Sequence, residues 1–328
     1  MSMLVSVVVP TFKRRDLLDR CIAALVAQSF DPAAYEIVIV DDAACAETRQ
    51  QVKGWAKRVA HCGHCVRYLP VCGVGTPHGP ATARNLGWRA ARGEIIAFTD
   101  DDCIPTPAWL KAGVAAFSGD IMAVSGRIVI PLADNPTDYE YNASHLANSE
   151  FVTANCFYRR EALALAGGFD ERFTAPWRED SDLFFTLLEN NVSYTCAPEA
   201  VVVHPVRPAR WGISLSQQRK SMFNALLFKK HPRLYWQKIQ PSPPWHYYGI
   251  VGALLLMLTA TLLGSRFFAF CGLGLWGWMT ARFCAQRLSR TSRAPAHVAK
   301  MLLTSMLIPP LAVFWRLRGV IRFRVLFL

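Results

Sequence analysis

Acidic residues are missing from the C-terminal part of this chain. Residues 200–328 contain no Asp or Glu but 18 of the 36 Lys and Arg residues, whereas residues 1–199 contain all 24 acids. The net charges of the two parts are therefore +18 and −6. A basic segment without acids can bind nucleic acid, but this one also has long apolar runs, which suit an anionic membrane surface better. We expect a membrane as a partner and no nucleic acid.

Charged residues of either sign are missing from residues 245–263, a run of 19 residues that is long enough to span a bilayer. A second apolar run covers about residues 265–281, and basic residues follow it. Because such loops stay in the cytoplasm, the pattern predicts a two-span hairpin in the inner membrane, with the N-terminal part facing the cytoplasm. Residues 301–315 contain Pro309 and Pro310, which favours an interfacial or re-entrant segment over a third span.

A secretory signal and a regular cysteine framework are also missing. The first apolar run has no basic segment before it, and the ten cysteines are scattered. Both features indicate a reducing, cytoplasmic setting with free thiols. One Cys-x-x-Cys pair, Cys62 and Cys65, lies among His61 and His64 and leaves a zinc site open as an alternative.

Short apolar runs alternate with helical patterns in the N-terminal part. The runs lie at residues 4–9, 36–40, 66–69 and 95–98. Strands that alternate with helices in this way predict βαβ units and an α/β fold with a mainly parallel sheet.

Acids follow two of these strands. Asp41 and Asp42 close the second, and Asp100, Asp101 and Asp102 close the fourth. In a parallel sheet these ends lie at one edge, where ligands bind. Three adjacent carboxylates repel one another unless a cation is present, and Mg²⁺ binds through carboxylates and substrate phosphates. Because side chains alternate along an extended chain, we expect Asp100 and Asp102 to point one way and Asp101 the other. The alternative is a solvated acidic turn.

Three further positions are candidates for the same site. Arg84 and Asn85 lie at the start of a helix, which suits a phosphate. Glu179 and Asp180 begin a later helix, where acids are also favourable as simple caps. His204 follows the last strand pattern, at residues 194–203, and a lone histidine there is more often structural.

Residues 131–150 are polar and predict a loop.

Several of these motifs occur together in one order. They are VVVPT at residues 7–11, VDD at 40–42, GPATARN at 79–85, TDDD at 99–102 and ED at 179–180. The ordered set resembles glycosyltransferase family 2, the inverting nucleotide-sugar enzymes of the Rossmann-like GT-A fold, over about residues 4–205. The C-terminal helices point to a membrane-anchored, bacterial-type member.

The resemblance implies a function for each motif. Pro10, Thr11 and Asp42 would bind the nucleotide base, which favours a UDP-sugar. Arg84 and Asn85 would lie beside the diphosphate, and Asp100 would contact the ribose. Asp101 or Asp102 would hold Mn²⁺ or Mg²⁺, and His204 matches a position that assists the metal or the diphosphate in some members. Asp180 matches the general base, with Glu179 beside it.

One departure from the family's processive synthases affects the expected product. Those enzymes have a Gln-x-x-Arg-Trp element, whereas Lys220 follows Arg219 here. We therefore expect transfer of a single sugar to a lipid-linked or envelope-glycan acceptor. A processive polysaccharide synthase and a non-catalytic assembly subunit remain alternatives. The expected domains are a catalytic domain at 1–210, a basic amphipathic linker at 211–244 and a membrane region at 245–328.

Overall fold

The computed structural model describes residues 3–73 and 78–327. The chain forms two compact units. The first contains residues up to Pro131 together with His145–Pro205, and the second contains Leu132–Ser144 together with Val206–Leu328. The segment Leu132–Ser144 thus belongs to the second unit, although the chain on both sides of it belongs to the first.

The first unit contains an eight-stranded sheet. Its strands are β1 (Val5–Thr11), β2 (Tyr35–Asp41), β3 (Cys65–Pro70), β4 (Ile95–Phe98), β5 (Ile104–Pro105), β6 (Ala123–Val129), β7 (Cys156–Arg159) and β8 (Tyr194–Val203). Their order in the sheet is β3-β2-β1-β4-β7-β6-β8-β5. Strands β3, β2, β1 and β4 run parallel to one another, and β6 and β8 run parallel to each other. The pairs β4–β7, β7–β6 and β8–β5 are antiparallel.

The helices in chain order are α1 (Arg15–Val26), α2 (Ala46–Val59), α3 (Pro80–Ala90), α4 (Trp109–Ala115), α5 (Asp138–Ser144), α6 (Arg160–Ala166), α7 (Glu179–Glu189), α8 (Ile213–Gln217), α9 (Phe223–Lys230), α10 (Pro232–Lys238), α11 (Trp245–Leu262), α12 (Arg266–Leu288) and α13 (Pro295–Phe323). Helices α5 and α8 to α13 belong to the second unit.

The predicted α/β class with C-terminal helices is confirmed, but the sheet is mixed. Strand β7 was not predicted, and it lies antiparallel between β4 and β6. It runs directly into α6 at Arg160, so its apolar pattern does not separate it from the helix that follows.

Close packing fixes α3 on the parallel part of the sheet. A Cβ atom at Gly87 would lie 2.3 Å from Val8 Cγ1 and 3.0 Å from Val40 Cγ2. Since only glycine permits this approach, α3 lies directly on β1 and β2. Its first turns, which contain Arg84 and Asn85, are thereby held in place.

The prediction of a loop over residues 131–150 is wrong in part, because Asp138–Ser144 forms α5. This helix is held by contacts within the second unit. Arg287 donates a hydrogen bond of 2.7 Å to Asp138, and the amide of Ser292 donates to the carbonyl of Pro136 at 2.8 Å. These partners are about 150 residues away in sequence, so local patterns could not reveal the helix.

The second unit also differs in detail from the predicted elements. The basic amphipathic linker expected at residues 211–244 is divided into α8, a 3₁₀ turn at Gln218–Met222, α9 and α10. Helix α13 continues through Pro309 and Pro310, so residues 301–315 lie within a 29-residue helix. Trp245–Leu262 and Pro295–Phe323 are long and apolar enough to cross a membrane. The placement of each segment relative to a bilayer stays a prediction.

Candidate active site

The candidate site lies where the parallel strands end. Thr11 and Asp41 end β1 and β2 opposite one another, and the chain turns after β4. The amide of Cys103 donates to the carbonyl of Asp100 at 3.1 Å, which closes a tight turn. We call this turn, which contains Asp100, Asp101 and Asp102, the acidic turn. Because of this turn, the strand alternation expected for Asp100 and Asp102 does not apply. Each of the three acids has its own partners.

Asp101 is buried and bound on both oxygens. The hydroxyl of Thr11 donates to Oδ2 at 2.8 Å, and Arg14 Nη1 donates to Oδ1 at 3.0 Å. Burial raises the pKa of Asp101 to about 6, although the nearby Arg14 acts in the opposite direction. Asp101 therefore links β1, the residues after it and the acidic turn.

Asp102 faces a different group. His204 Nε2 lies 3.6 Å from its Oδ1, and Arg14 Nη1 lies 3.9 Å from its Oδ2. The amide of His204 donates to the carbonyl of Val129 at 2.9 Å, which fixes the residue just beyond β8. The pair thus connects the acidic turn with the end of β8.

A divalent cation could be held by this pair. Ligand atoms of Asp102, Cys103 and His204 lie within 4.8 Å of one another among the described residues. Burial raises the pKa of the Cys103 thiol well above its usual range, so it stays protonated and is a poor ligand. A carboxylate and an imidazole remain, and carboxylate oxygens suit Mg²⁺ and Mn²⁺.

Arg84 is buried between two carboxylates from different elements. Its Nη2 donates to Asp100 Oδ1 at 2.8 Å, and its Nη1 donates to Glu179 Oε1 at 3.0 Å. Arg84 Nε and Glu179 Oε2 are buried without a hydrogen-bond partner among the described residues. The guanidinium joins α3, the acidic turn and α7.

Glu179 and Asp180 begin α7 as predicted, after a residue in an unusual conformation. Arg178 has a φ of +74°, which is uncommon for a residue with a side chain. Asp180 Oδ1 accepts a hydrogen bond of 2.7 Å from the amide of Ser181. Burial raises the pKa of both carboxyls, while Arg84 lowers both and Arg178 lowers that of Asp180.

All hydrogen-bonding positions of the Asn85 side-chain amide are occupied by partners within the protein. Its Nδ2 donates to the Phe169 carbonyl and to Glu171 Oε1, each at 2.8 Å. Its Oδ1 accepts from the Phe169 amide at 2.9 Å and from Trp88 Nε1 at 3.0 Å. Two donors and two acceptor positions are all that an amide has. Asn85 therefore positions the loop before α7, and its predicted place beside the nucleotide stays a prediction.

The predicted base-binding residues lie on β1 and directly after β2. Pro10 is half-buried and pairs with Val40 in the sheet. The Asp42 amide donates to the Thr11 carbonyl at 2.9 Å, and its carboxylate lies 3.1 Å from His78 Nδ1. The neighbouring Asp41 is buried and binds the amides of its own turn instead.

Sequence reasoning missed Arg14. It contacts both Asp101 and Asp102, but a single arginine after a strand has no distinguishing pattern. The zinc alternative finds no support among the described residues. His64 lies 3.2 Å from the Tyr35 hydroxyl, and Cys62 and Cys65 are free thiols.

Comparison with known proteins gives consistent matches. The model of glycosyl transferase family 2 matches residues 6–169, and that of glycosyl transferase family group 2 matches residues 95–317. Glycosyltransferase AglE of Haloferax volcanii is 24% identical over 216 residues, which cover 62% of this chain and 67% of that protein. Validoxylamine A glucosyltransferase of Streptomyces hygroscopicus subsp. limoneus is 26% identical over 277 residues, or 70% of this chain and 57% of that protein.

A solved structure has the same fold. Mannosyltransferase PcManGT from Pyrobaculum calidifontis, in complex with GDP-Man and Mn²⁺, superposes with a TM-score of 0.62 at 21% identity. The match covers 95% of this chain and 86% of that one. The fold is therefore of the GT-A type.

Proposed function

The chain belongs to glycosyl transferase family 2, and from that premise we propose that it transfers a single sugar from a nucleotide-sugar donor to a membrane-associated acceptor. The observation that supports this most directly is the arrangement around Arg84. Asp100, the first acid after β4, binds one nitrogen of its guanidinium, and Glu179, the neighbour of Asp180, binds another. A transferase needs a donor site and a proton acceptor at such a short separation.

On the donor side, Pro10, Thr11 and Asp42 bind the base and Asp100 contacts the ribose. Asp42 is partly accessible at the end of β2, and its carboxylate can accept an N–H of uracil, which favours UDP-sugars. PcManGT binds GDP-Man, so guanosine donors belong in the test as well.

A metal, Mn²⁺ or Mg²⁺, would be held by Asp102 and His204. When bound, it neutralises charge that develops on the diphosphate leaving group. Asp101 has both oxygens engaged with Thr11 and Arg14, so we assign it to the support of Asp102 rather than to the principal contact. Arg14 restrains both acids, which otherwise repel each other.

On the acceptor side, Asp180 is the general base. Its raised pKa makes it a better proton acceptor than an exposed aspartate, because a basicity closer to the working pH favours proton transfer. Attack by the acceptor hydroxyl on the face opposite the diphosphate inverts the anomeric carbon in one displacement. Glu179 is held by Arg84 and positions the start of α7.

The acceptor is a lipid-linked or envelope-glycan precursor. The exposed apolar surfaces of α11 and α13 support association of the second unit with a membrane. The basic residues that follow the second apolar run favour the inner membrane, with the first unit in the cytoplasm. Lys220 in place of the tryptophan of processive synthases supports transfer of one sugar.

The experiment is a panel of UDP- and GDP-sugars, with detergent-solubilised protein and Mn²⁺, Mg²⁺ or EDTA. We expect turnover of one donor that EDTA abolishes and Mn²⁺ restores, and a product longer by one sugar. Asp180→Asn should bind the donor normally and lose transfer. Absence of metal-dependent turnover with every donor contradicts the enzyme proposal, and a ladder of products contradicts single transfer.

A further inference from the structure

The second unit has an exposed basic cluster that the proposed reaction does not use. We call Arg219, Lys229, Arg318, Arg322 and Arg324 the basic collar; all five side chains are exposed. They come from the 3₁₀ turn, from α9 and from the end of α13. The second unit has three carboxylates by sequence, Asp134, Asp138 and Glu140, against 18 Lys and Arg residues.

Packing within the second unit brings these residues together. A Cβ atom at Gly319 would lie 2.5 Å from the Met222 carbonyl, so α13 lies directly against the 3₁₀ turn. The guanidinium groups of Arg219 and Arg318 lie 5.8 and 5.5 Å from the Trp315 ring centre. Lys229 Nζ donates to the Phe323 carbonyl at 2.8 Å, at the end of α13. The collar is thus a fixed arrangement of cations from separate segments.

An apolar stripe lies beside the collar on α13. Phe314, Leu317 and Ile321 follow one another at helical spacing, and 52%, 47% and 77% of their surfaces are exposed. Arg318 and Arg322 lie one residue further round the helix, while Gly319 faces the protein. A helix with an exposed apolar stripe flanked by arginines suits a bilayer surface, where the stripe enters the acyl boundary and the cations meet phosphates.

We propose that the basic collar binds the phosphates of anionic phospholipids at the cytoplasmic surface of the membrane. This inference rests on the proposed membrane placement of the second unit. Charge complementarity selects the lipid: five exposed cations match a surface of negative headgroups, and a zwitterionic surface offers no net attraction. The apolar stripe selects a bilayer over a soluble anion, since free phosphate does not cover Phe314, Leu317 or Ile321.

The test uses the full chain in neutral detergent with equal amounts of phosphatidylglycerol and phosphatidylcholine. Native mass spectrometry counts the lipids that stay bound. We expect wild type to retain phosphatidylglycerol preferentially. In R219Q/R318Q/R322Q each lost charge should reduce that preference by up to about fivefold. The variant R219K/R318K/R322K keeps the charges and should keep the preference for phosphatidylglycerol. The second control, K53Q/K57Q/R92Q, removes three exposed cations from the first unit and should also keep it.

Four results overturn the proposal. They are equal retention of both lipids by wild type, full preference in the glutamine variant, displacement of the lipid by inorganic phosphate at equal concentration, and stronger binding of soluble polyglutamate, which indicates an acidic protein partner. If the chain can be extracted from cell membranes without detergent, the proposed membrane placement is itself wrong. Donor turnover is measured separately, so loss of lipid preference with intact turnover leaves the proposed reaction unaffected.

Discussion

Arg84 makes the site depend on the shape of one side chain as well as on its charge. It contacts Asp100 and Glu179 through different nitrogens, which a lysine ammonium cannot reproduce. We expect Arg84→Lys to fold and to lose about 10- to 100-fold in kcat, because the start of α7 is no longer held. Steady-state kinetics with circular dichroism checks this. Arg89→Lys, at an exposed position on the same helix, is the control. Normal kcat in Arg84→Lys contradicts the bridging role.

Asp102 and His204 differ from Asp101 in their expected response to metal. His204→Gln should raise the Mn²⁺ concentration for half-maximal activity by about tenfold or more, because one ligand is weakened. Asp102→Asn should abolish metal-dependent donor binding, measured by calorimetry with and without Mn²⁺. Asp101→Asn should retain weak metal-dependent binding. If Asp101→Asn loses metal binding and Asp102→Asn keeps it, the assignment of the two acids is reversed.

The assignment of Asp180 as general base predicts a definite pH dependence of the activity. Since burial raises the pKa of Asp180, activity should decline at a pH above the usual range for aspartate as the solution is acidified. Arg178 opposes this rise, so Arg178→Gly should move the acid limb of the kcat profile to higher pH by up to about one unit. Glycine accepts the φ of +74° freely, which offsets the lost contact between Arg178 and the Trp177 ring, so the variant should fold. Arg172→Gln removes a cation that binds Asp170 instead, and its profile should stay unchanged.

Residues with a positional signature were predictable, and those that act through a distant partner were not. Asp100 to Asp102 follow an apolar strand, and Glu179 and Asp180 begin a helix, so both groups were identified. Arg14 has no such signature. Asn85 was placed correctly at the start of α3, but its partners lie at residues 169–171, more than 80 positions later. The sequence could therefore not reveal that its amide is fully used.

At the scale of elements, the contact between α3 and the sheet sets the position of Arg84. Gly87→Ala should lower the free energy of unfolding by about 1–3 kcal/mol, because its Cβ overlaps Val8. Gly54→Ala on α2 is the matched control. No atom lies within 4 Å of its Cβ position, so this change should stabilise by about 0.5–1 kcal/mol. Urea unfolding of both variants checks the pair, and equal effects contradict the packing argument.

Strands with strong β-branched runs were predicted to within one or two residues, because burial on both faces requires continuous apolar sequence. Strand β7 and helix α5 were missed for different reasons. Strand β7 runs directly into α6, so its local pattern does not mark a separate strand, and α5 is stabilised by side chains from α12. Long-range contacts decide both elements, and a local pattern has no access to them.

At the scale of the whole molecule, Asp138 and Arg287 form an ion pair with two hydrogen bonds between α5 and α12 of the second unit. Both are largely buried, and Arg287 also donates to the hydroxyls of Thr304 and Ser305 at 2.8 and 2.9 Å. Removal of one charge leaves the other buried without its counter-ion. Asp138→Asn or Arg287→Gln should therefore destabilise by about 3–5 kcal/mol.

The double variant Asp138→Leu/Arg287→Met should be less destabilised than either single change, because no buried charge is left unpaired. Thermal unfolding in detergent gives all three values. If the double variant loses as much as the sum of the single ones, the two charges act independently and the contact is not a coupled pair.

The separation of 149 residues between Asp138 and Arg287 also has a consequence during synthesis. At about 5–20 residues per second, Arg287 is made roughly 7–30 seconds after Asp138. Strands β6, β7 and β8 are all available within that interval, since the chain reaches Val203 well before α12. In a growing chain, the sheet can therefore form before Asp138, in the connection between β6 and β7, has Arg287 to bind. A chain made from an mRNA that ends before α12 would lack this contact permanently.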